Sequence, residues 1–204
     1  MPSQTKRVYF GDLVFVVDEN VYEPAEDSFL FAEILELHAG ERVLDMGTGC
    51  GILGIVSAEK ASAVVAVDLN PYAVRCAKEN AALNNVRSKM AFMQSDLFTS
   101  LNETAKFDII LFNAPYLPAD EHETGSWLDL AWAGGTSGRQ VIDRFIFEAP
   151  NYLRQAGRVL LMQSTLTNVS ETICKFDEYG LNARVVAESA LPFFEKITLI
   201  EAKA

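Results

Sequence analysis

The chain opens on two short apolar, strand-like stretches within Arg7 to Asp18. They lie either side of Gly11-Asp12, which predicts a small β-hairpin. Phe29 to Leu37 changes to the apolar spacing of a helix, and Gly40 punctuates its end. From Arg42 onward strand and helix patterns take turns. Arg42 to Met46 reads as a short apolar strand closing on Gly47, Ile52 to Ala61 as a helix, and Ala63 to Val67 as a β-branched strand ending at Asp68. Asn70-Pro71 then opens a helix to Asn84, with Asn as N-cap and Pro at the first helical position. Strands follow over Met90 to Met93, ending near Asp96, and over Phe107 to Phe112, ending at Asn113. A helix is expected over Gly138 to Arg154, a strand over Arg158 to Gln163, and a helix over Asn168 to Tyr179. Two strands, Ala183 to Glu188 and Lys196 to Ala202, close the chain with no helix between them.

This order predicts an α/β fold: a mostly parallel sheet with helices on both faces and an antiparallel hairpin at one edge. One domain is expected over residues 1–204, with 1–40 packing on a core of 41–204. In such sheets ligands bind beyond the carboxyl ends of the strands, at the point where strand order reverses. Asp45, Asp68, Asp96 and Asn113 fall at the ends of four successive strands. That coincidence directs attention to them.

Charge narrows the choice of partner. With 17 basic and 28 acidic residues the formal net charge is -11, and no run of Lys and Arg supplies a basic face for phosphates. Direct binding of nucleic acid is not expected. The longest apolar stretches are strand-length, so none spans a membrane, and Met1 to Arg7 lacks the apolar core of a secretory signal. A cytoplasmic protein is expected. Cys50, Cys76 and Cys174 form no CxxC pair and read as small buried residues in a reducing compartment. Only two histidines are present, which argues against a metal site of His and Cys.

Asp45-Met46-Gly47-Thr48-Gly49-Cys50-Gly51 follows a strand and opens a helix. Glycines there let backbone lie close to a ligand, a feature shared with dinucleotide enzymes. Asp45 discriminates between the two. A carboxylate just before the glycines would repel a pyrophosphate, but it suits a ligand bearing cationic ammonium and sulfonium groups. Asp68 is placed to accept both hydroxyls of a ribose, and Asp96 to accept from an adenine amino group. S-adenosylmethionine fits this set better than NAD.

Asn113-Ala114-Pro115-Tyr116 ends the fourth of these strands. The Asn side-chain carbonyl and the next backbone carbonyl can both accept from one NH2 group. Pro115 fixes its own φ and removes a competing donor, while Tyr116 offers a flat face to a planar group. Such a clamp suits a weakly nucleophilic planar nitrogen, for which positioning does much of the work. No general base is evident.

The element resembles the Asn-Pro-Pro-Tyr motif of amino-methylating enzymes, with Ala114 in place of the first proline. From about Val21 to the C-terminus the chain is similar to HemK-like protein glutamine methyltransferases of the short archaeal and eukaryotic type. The resemblance also rests on Tyr22-Glu23-Pro24-Ala25-Glu26-Asp27-Ser28 and on Ala131-Trp132-Ala133-Gly134-Gly135 with Gly138-Arg139 and Asp143-Arg144-Phe145. It implies the Rossmann-like class I methyltransferase fold, with a seven-stranded sheet. It also implies methylation of the glutamine N5 in the Gly-Gly-Gln loop of a class I translation release factor. Cofactor contacts would fall on Ser28, Asp45, Gly47, Asp68, Leu69, Asp96, Leu97 and Asn113, with Gly49 in the glycine turn. The same resemblance implies a small zinc-binding activator subunit.

Bland roles stand beside these. Glu26 and Asp27 could simply cap the following helix; His122 reads as an exposed loop residue, Gln140 to Phe147 as core packing, and Trp132 as a wall near the active site. Three other functions compete: adenine-N6 methylation of nucleic acid, lysine methylation of protein, and a cofactor-binding scaffold for a partner. The net charge opposes the first, and an intact acceptor motif opposes the last.

Overall fold

The computed structural model describes residues 5–119, 125–191 and 195–204. The chain divides into two units, Met1–Leu101 and Asn102–Ala204.

The first unit begins with the expected hairpin, β1 (Lys6–Phe10) and β2 (Leu13–Val17), paired antiparallel so that Phe10 faces Leu13 across the Gly11-Asp12 turn. Val8, Phe15 and Val17 are its buried positions. A two-stranded ribbon is marginal alone and needs something to pack on. Helix α3 (Pro71–Leu83) supplies it. Asn80 accepts from Val16 N at 2.8 Å and donates to Val16 O at 3.0 Å, and Asn84 does the same with Val14 at 3.0 and 2.8 Å. Two amides one helical turn apart therefore stand in for a neighbouring strand and satisfy the edge of β2.

Between hairpin and α3 lie α1 (Glu26–Ile34), β3 (Arg42–Met46), α2 (Ile52–Ala58) and β4 (Ala63–Asp68). Asn70 caps α3 by accepting from Tyr72 N at 2.9 Å, with Pro71 at the first helical position as expected. Strand β5 (Met90–Gln94) follows, and β3, β4 and β5 pair in parallel. Helix α1 begins three residues before the expected Phe29. Its N-cap position, Ala25, makes no side-chain hydrogen bond; of the acids Glu26 and Asp27, Asp27 satisfies a first-turn donor, accepting from Ser28 N at 2.6 Å. Both acids occupy the first turn, where negative charge is favoured by the helix dipole.

The second unit contains β6 (Phe107–Asn113), α4 (Trp127–Leu130), α5 (Gln140–Glu148), β7 (Leu153–Ser164), α6 (Val169–Glu178), β8 (Asn182–Ala190) and β9 (Lys196–Lys203). The helix expected over Gly138 to Arg154 is corrected here: α5 stops at Glu148 and a 3₁₀ turn covers Ala149–Tyr152. Pro150 has no N–H and its ring clashes with the carbonyl one turn back, so the α-helix cannot pass through it. Leu153 already pairs with Phe107, and the register then slips to Ile109↔Arg158. The slip accommodates Ala156 at φ +62°, which is why alternation became legible only from Arg158. Helix α4 was not anticipated, although Ser126 and Asp129 form a reciprocal capping box around it. The core of this unit is built on Phe107, Phe112, Phe145 and Phe176, with Phe112 and Phe145 rings 4.6 Å apart.

The described strands form the two-stranded sheet β1-β2 and a seven-stranded sheet in the order β5-β4-β3-β6-β7-β9-β8. The closing strands make an antiparallel pair, β8 with β9, and β9 is also antiparallel to β7. The sheet order, its antiparallel edge and the alternation of helices match the Rossmann-like arrangement that the resemblance led one to expect. Among the described residues no helix is long and apolar enough to cross a membrane.

Candidate active site

In the first unit the glycine turn is built around Asp45, the fourth residue of β3. Its carboxylate is buried, and its two oxygens are treated differently. Oδ2 accepts from the Thr48 hydroxyl at 2.6 Å and from Gly54 N at 2.9 Å; Oδ1 is buried without a hydrogen-bond partner. An acceptor left so inside a protein is costly unless a ligand meets it. Burial pushes the Asp45 carboxyl up to about 7, the Thr48 and Gly54 donors pull it down, and the charge on Asp68 pushes it up again. A ligand cation would reverse the balance.

Gly47, Gly49 and Gly51 all take positive φ. At Gly51 (φ +92°) a Cβ would also lie 3.1 Å from Ala77 of α3, so the turn is both left-handed and closely packed. At Gly49 a Cβ would meet nothing within 4 Å, which leaves open space beside the loop.

Asp68 ends β4 and serves the fold as well as any ligand. Its Oδ2 accepts from Gly49 N and its Oδ1 from Asn70 N, both at 2.9 Å. Burial raises its pKa, against the pull of the backbone N–H groups of Asn70, Gly49 and Leu69. Each oxygen retains a second lone pair for a hydroxyl. Leu69 follows with 46% of its surface exposed, an apolar face suited to a flat ring. Asp96 lies two residues beyond β5, half-buried, in a turn tied to β4 by Ser95 N to Asp68 O at 2.9 Å. Leu97 is buried at φ +47°. Ser28 is buried in the first turn of α1, where its N–H and hydroxyl both donate to Asp27 Oδ1 at 2.6 and 3.2 Å. Tyr22 is half-buried and hydrogen-bonded to Asp27; burial and the charges of Asp27 and Glu26 raise its pKa. Tyr22, Asp27 and Ser28 are thus linked by hydrogen bonds through Asp27.

In the second unit Asn113 is the last residue of β6, paired with Met162 of β7, and its side-chain oxygen is buried. Ala114 is buried, while Pro115 and Tyr116 are half-buried. Ala114 N donates to Met162 O at 3.2 Å, so pairing with β7 carries on through the start of the turn.

The glycine stretch downstream clasps this turn, a role the sequence did not disclose. Leu117 N donates to Trp132 O at 2.9 Å, and Gly134 N donates to Leu117 O at 2.8 Å. A Cβ at Gly134 would sit 2.7 Å from the Pro115 carbonyl oxygen and closer still to the Gly138 carbonyl. A Cβ at Gly138 (φ +71°) would collide with the Tyr116 carbonyl oxygen and with Thr167 Cγ2. Two glycines are therefore required where one backbone lies directly on another.

Arg139 anchors the clasp from below. It is buried, and its Nη1 donates to Thr167 O, to Asn168 O at 3.1 Å and to Thr172 Oγ1 at 3.0 Å. Nη2 donates to Asp143 at 2.7 Å, and Nε lies 3.3 Å from Glu171, too poorly aligned for a hydrogen bond but close enough for an ion pair. Lys175 joins Asp143 and Glu171 at 2.6 and 3.2 Å. Of the sequence-marked residues in this stretch, Arg139, Asp143 and Phe145 hold the fold together. Trp132 is half-buried with its carbonyl in the clasp. His122 lies outside the described residues. Cys50 and Cys76 are buried as expected, but Cys174 is exposed.

Comparison with known proteins adds to this geometry. Residues 21–189 match the family model described as the methyltransferase small domain. A relative in Methanocaldococcus jannaschii, which bears the provisional name protein N5-glutamine methyltransferase, is 48% identical over 88% of this chain and 90% of its own. The human protein named methyltransferase HEMK2 is 36% identical over 79% of this chain and 80% of its own. The solved E. cuniculi Mtq2–Trm112 complex, whose description assigns it methylation of the eRF1 translation termination factor, matches at a TM-score of 0.69 and 25% identity. That match covers 90% of this chain and 98% of the other.

Proposed function

The chain belongs to the methyltransferase small domain family, and we propose that its acceptor is the side-chain amide of a glutamine in a class I translation release factor. It is an S-adenosylmethionine-dependent protein glutamine-N5 methyltransferase. The observation that carries the cofactor reading into this chain's residues is the buried Oδ1 of Asp45, an acceptor that the fold leaves without a donor. The residues present fit the cofactor. Asp45 would take its ammonium, Asp68 its ribose hydroxyls, and Leu69 and Leu97 the faces of its adenine, whose amino group would reach Asp96. Gly47 and Gly49 would let it approach the backbone, and Ser28 would close the site from α1.

When bound, the cofactor supplies an electrophilic methyl group on a sulfonium. This chain's task is to hold the amide nitrogen in line with it. An amide nitrogen is a weak nucleophile because its lone pair is delocalised, so orientation and hydrogen bonding carry the rate. Asn113 Oδ1 and the Ala114 carbonyl would accept from the two N–H bonds of the glutamine, and Pro115 and Tyr116 would confine its plane. Holding both hydrogens fixes the direction of the lone pair. No side chain is required to take a proton before attack, since the nitrogen can release it to water once methylated.

The solved neighbour is a two-protein complex. By that analogy we place a small activator subunit beside this chain, zinc-binding as the family resemblance implies.

The test is methylation of a release factor with labelled cofactor, with and without the activator, followed by mapping of the modified residue. Label on the glutamine of the Gly-Gly-Gln loop is expected; label elsewhere overturns the acceptor assignment. Asn113→Ala should lower single-turnover methylation by about 10²–10³-fold, the usual cost of one such group. Its cofactor affinity should change little, and near-normal turnover with an unshifted melt would remove the amide clamp.

A further inference from the structure

We propose that Thr48 is a positioning residue for the cofactor: its hydroxyl holds one oxygen of Asp45 so that the other is presented to the ammonium group. The proposal rests on the cofactor reading above and deepens it. Thr48 is buried at 4% exposure, and its only hydroxyl hydrogen is committed to Asp45 Oδ2 over 2.6 Å. Gly54 N, in the first turn of α2, donates to the same oxygen at 2.9 Å. Both fixed donors thus fall on Oδ2, and Oδ1 receives none. A carboxylate held by two donors on one oxygen cannot rotate without breaking both. The asymmetry leaves a preformed acceptor for a cation, with no reorganisation required on binding.

Space around Asp45 enforces the arrangement. A Cβ at Gly54 would lie 2.8 Å from Oδ2 and 2.9 Å from Met90 Cε, so α2 can bring its N–H this close only because residue 54 is glycine. Thr48 is held in turn by its own backbone: its N–H donates to Val67 O at 2.9 Å and its carbonyl accepts from Gly51 N at 2.8 Å. The hydroxyl is therefore aimed by the glycine turn rather than by chance rotation.

A second consequence concerns charge. The charged group acting on Asp45 is Asp68 at the end of β4, which disfavours a second negative charge, and Asp45 itself pushes up the Cys50 thiol in the same turn. The Thr48 hydroxyl and the Gly54 amide are the donors that favour the ionised form. Removing the hydroxyl should hold Asp45 protonated to higher pH and weaken its grip on a cation near neutrality.

The experiment is calorimetric binding of S-adenosylhomocysteine, which keeps the ammonium group but transfers no methyl. Affinity is measured across a pH series spanning neutrality, beside melts of the ligand-free proteins. Thr48→Val keeps the volume and loses the hydroxyl; Thr48→Ser keeps the hydroxyl. Thr48→Val should bind about tenfold more weakly near neutral pH, with the midpoint of its pH profile about one unit more alkaline. Thr48→Ser should stay close to the parent at every pH. In an Asp45→Asn background, Thr48→Val should cost little further, because the two residues act through one contact. If Thr48→Val does not fold, Thr48→Ala carries the same comparison. A pH-independent loss shared by Thr48→Val and Thr48→Ser would show a packing role and overturn the proposal, as would unchanged affinity in Thr48→Val. Failure of the parent chain itself to bind would instead sink the cofactor reading of this site.

Discussion

Substitution of Gly134 by alanine adds one methyl group at the point where two backbones meet. The new Cβ would lie 2.7 Å from the Pro115 carbonyl oxygen and closer to that of Gly138. Both atoms belong to the main chain, so neither can swing aside as a flexible side chain would. Gly134 is also fixed at both ends, by its N–H to Leu117 O at 2.8 Å and by its carbonyl from Gln140 N at 2.9 Å. The clasp must therefore open. Overpacking of this kind costs typically about 1–3 kcal/mol, and the upper half of that range is expected when only backbone can yield. For a chain of this size that corresponds to a melting-temperature drop of roughly 4–10 °C. Turnover should suffer more than stability. Pro115 and Tyr116 move with the clasp, and a displacement of about 1 Å in a positioned reactant can cost on the order of 10²-fold. Cofactor affinity should hold, because the glycine turn and its aspartates are untouched. Single-turnover methylation, calorimetry and a thermal melt measure the three quantities. Gly125→Ala serves as control, since a Cβ there meets nothing within 4 Å. If Gly134→Ala matches that control in both melt and turnover, the clasp does not position the acceptor turn.

Asp68→Ala should lose cofactor affinity and stability together, because the carboxylate also receives Gly49 N and Asn70 N; about 1 kcal/mol per lost bond is expected in a denaturant titration. A cofactor effect with an unshifted unfolding curve would contradict its role as a backbone tie. Arg139→Ala should destabilise by about 3 kcal/mol in urea without changing cofactor affinity, since it strips the carbonyls of Thr167 and Asn168, just before α6, and the acids Asp143 and Glu171 of a shared partner. Retained stability would mean that Lys175 suffices for the cluster. The Asp45 carboxyl, pushed up to about 7 by burial, makes ligand-free stability fall with rising pH. Below the unfolded value near 3.8 both states hold the proton; through the window up to about 7 the unfolded chain ionises first, and above it the loss is complete. Asp45→Asn should flatten that slope in melts between these limits, and an identical slope would show that other groups set it.

Several features were legible because they are local. Apolar strand-length runs either side of Gly11-Asp12 disclosed the hairpin, and Asn70-Pro71 the start of α3, since a turn, a cap and a proline act within a few residues. Arg42–Met46 was bounded correctly by its own apolar run and the glycine after it. The polar residues near successive strand ends were legible as candidates, and the structure places Asp68 and Asn113 as the last residues of β4 and β6. Other features depend on partners far along the chain. Period alone carried the helix past Pro150, but the missing N–H and the pairing of Leu153 with Phe107 end it there. The asparagines Asn80 and Asn84 look like ordinary polar helix positions until β2 lies against them. Asp68 stood out in the sequence as a ligand residue, but that both its oxygens tie the glycine turn and Asn70 in place is seen only in the structure. The sequence marked Gly134, Gly138 and Arg139 without revealing their work. Hydrophobic period and turn chemistry are set by neighbours within a few residues, so they determine which elements form and which faces are buried. The close contact of Gly134 with the Pro115 carbonyl, and the open oxygen of Asp45, exist only once distant segments have packed, and only the tertiary structure could decide them.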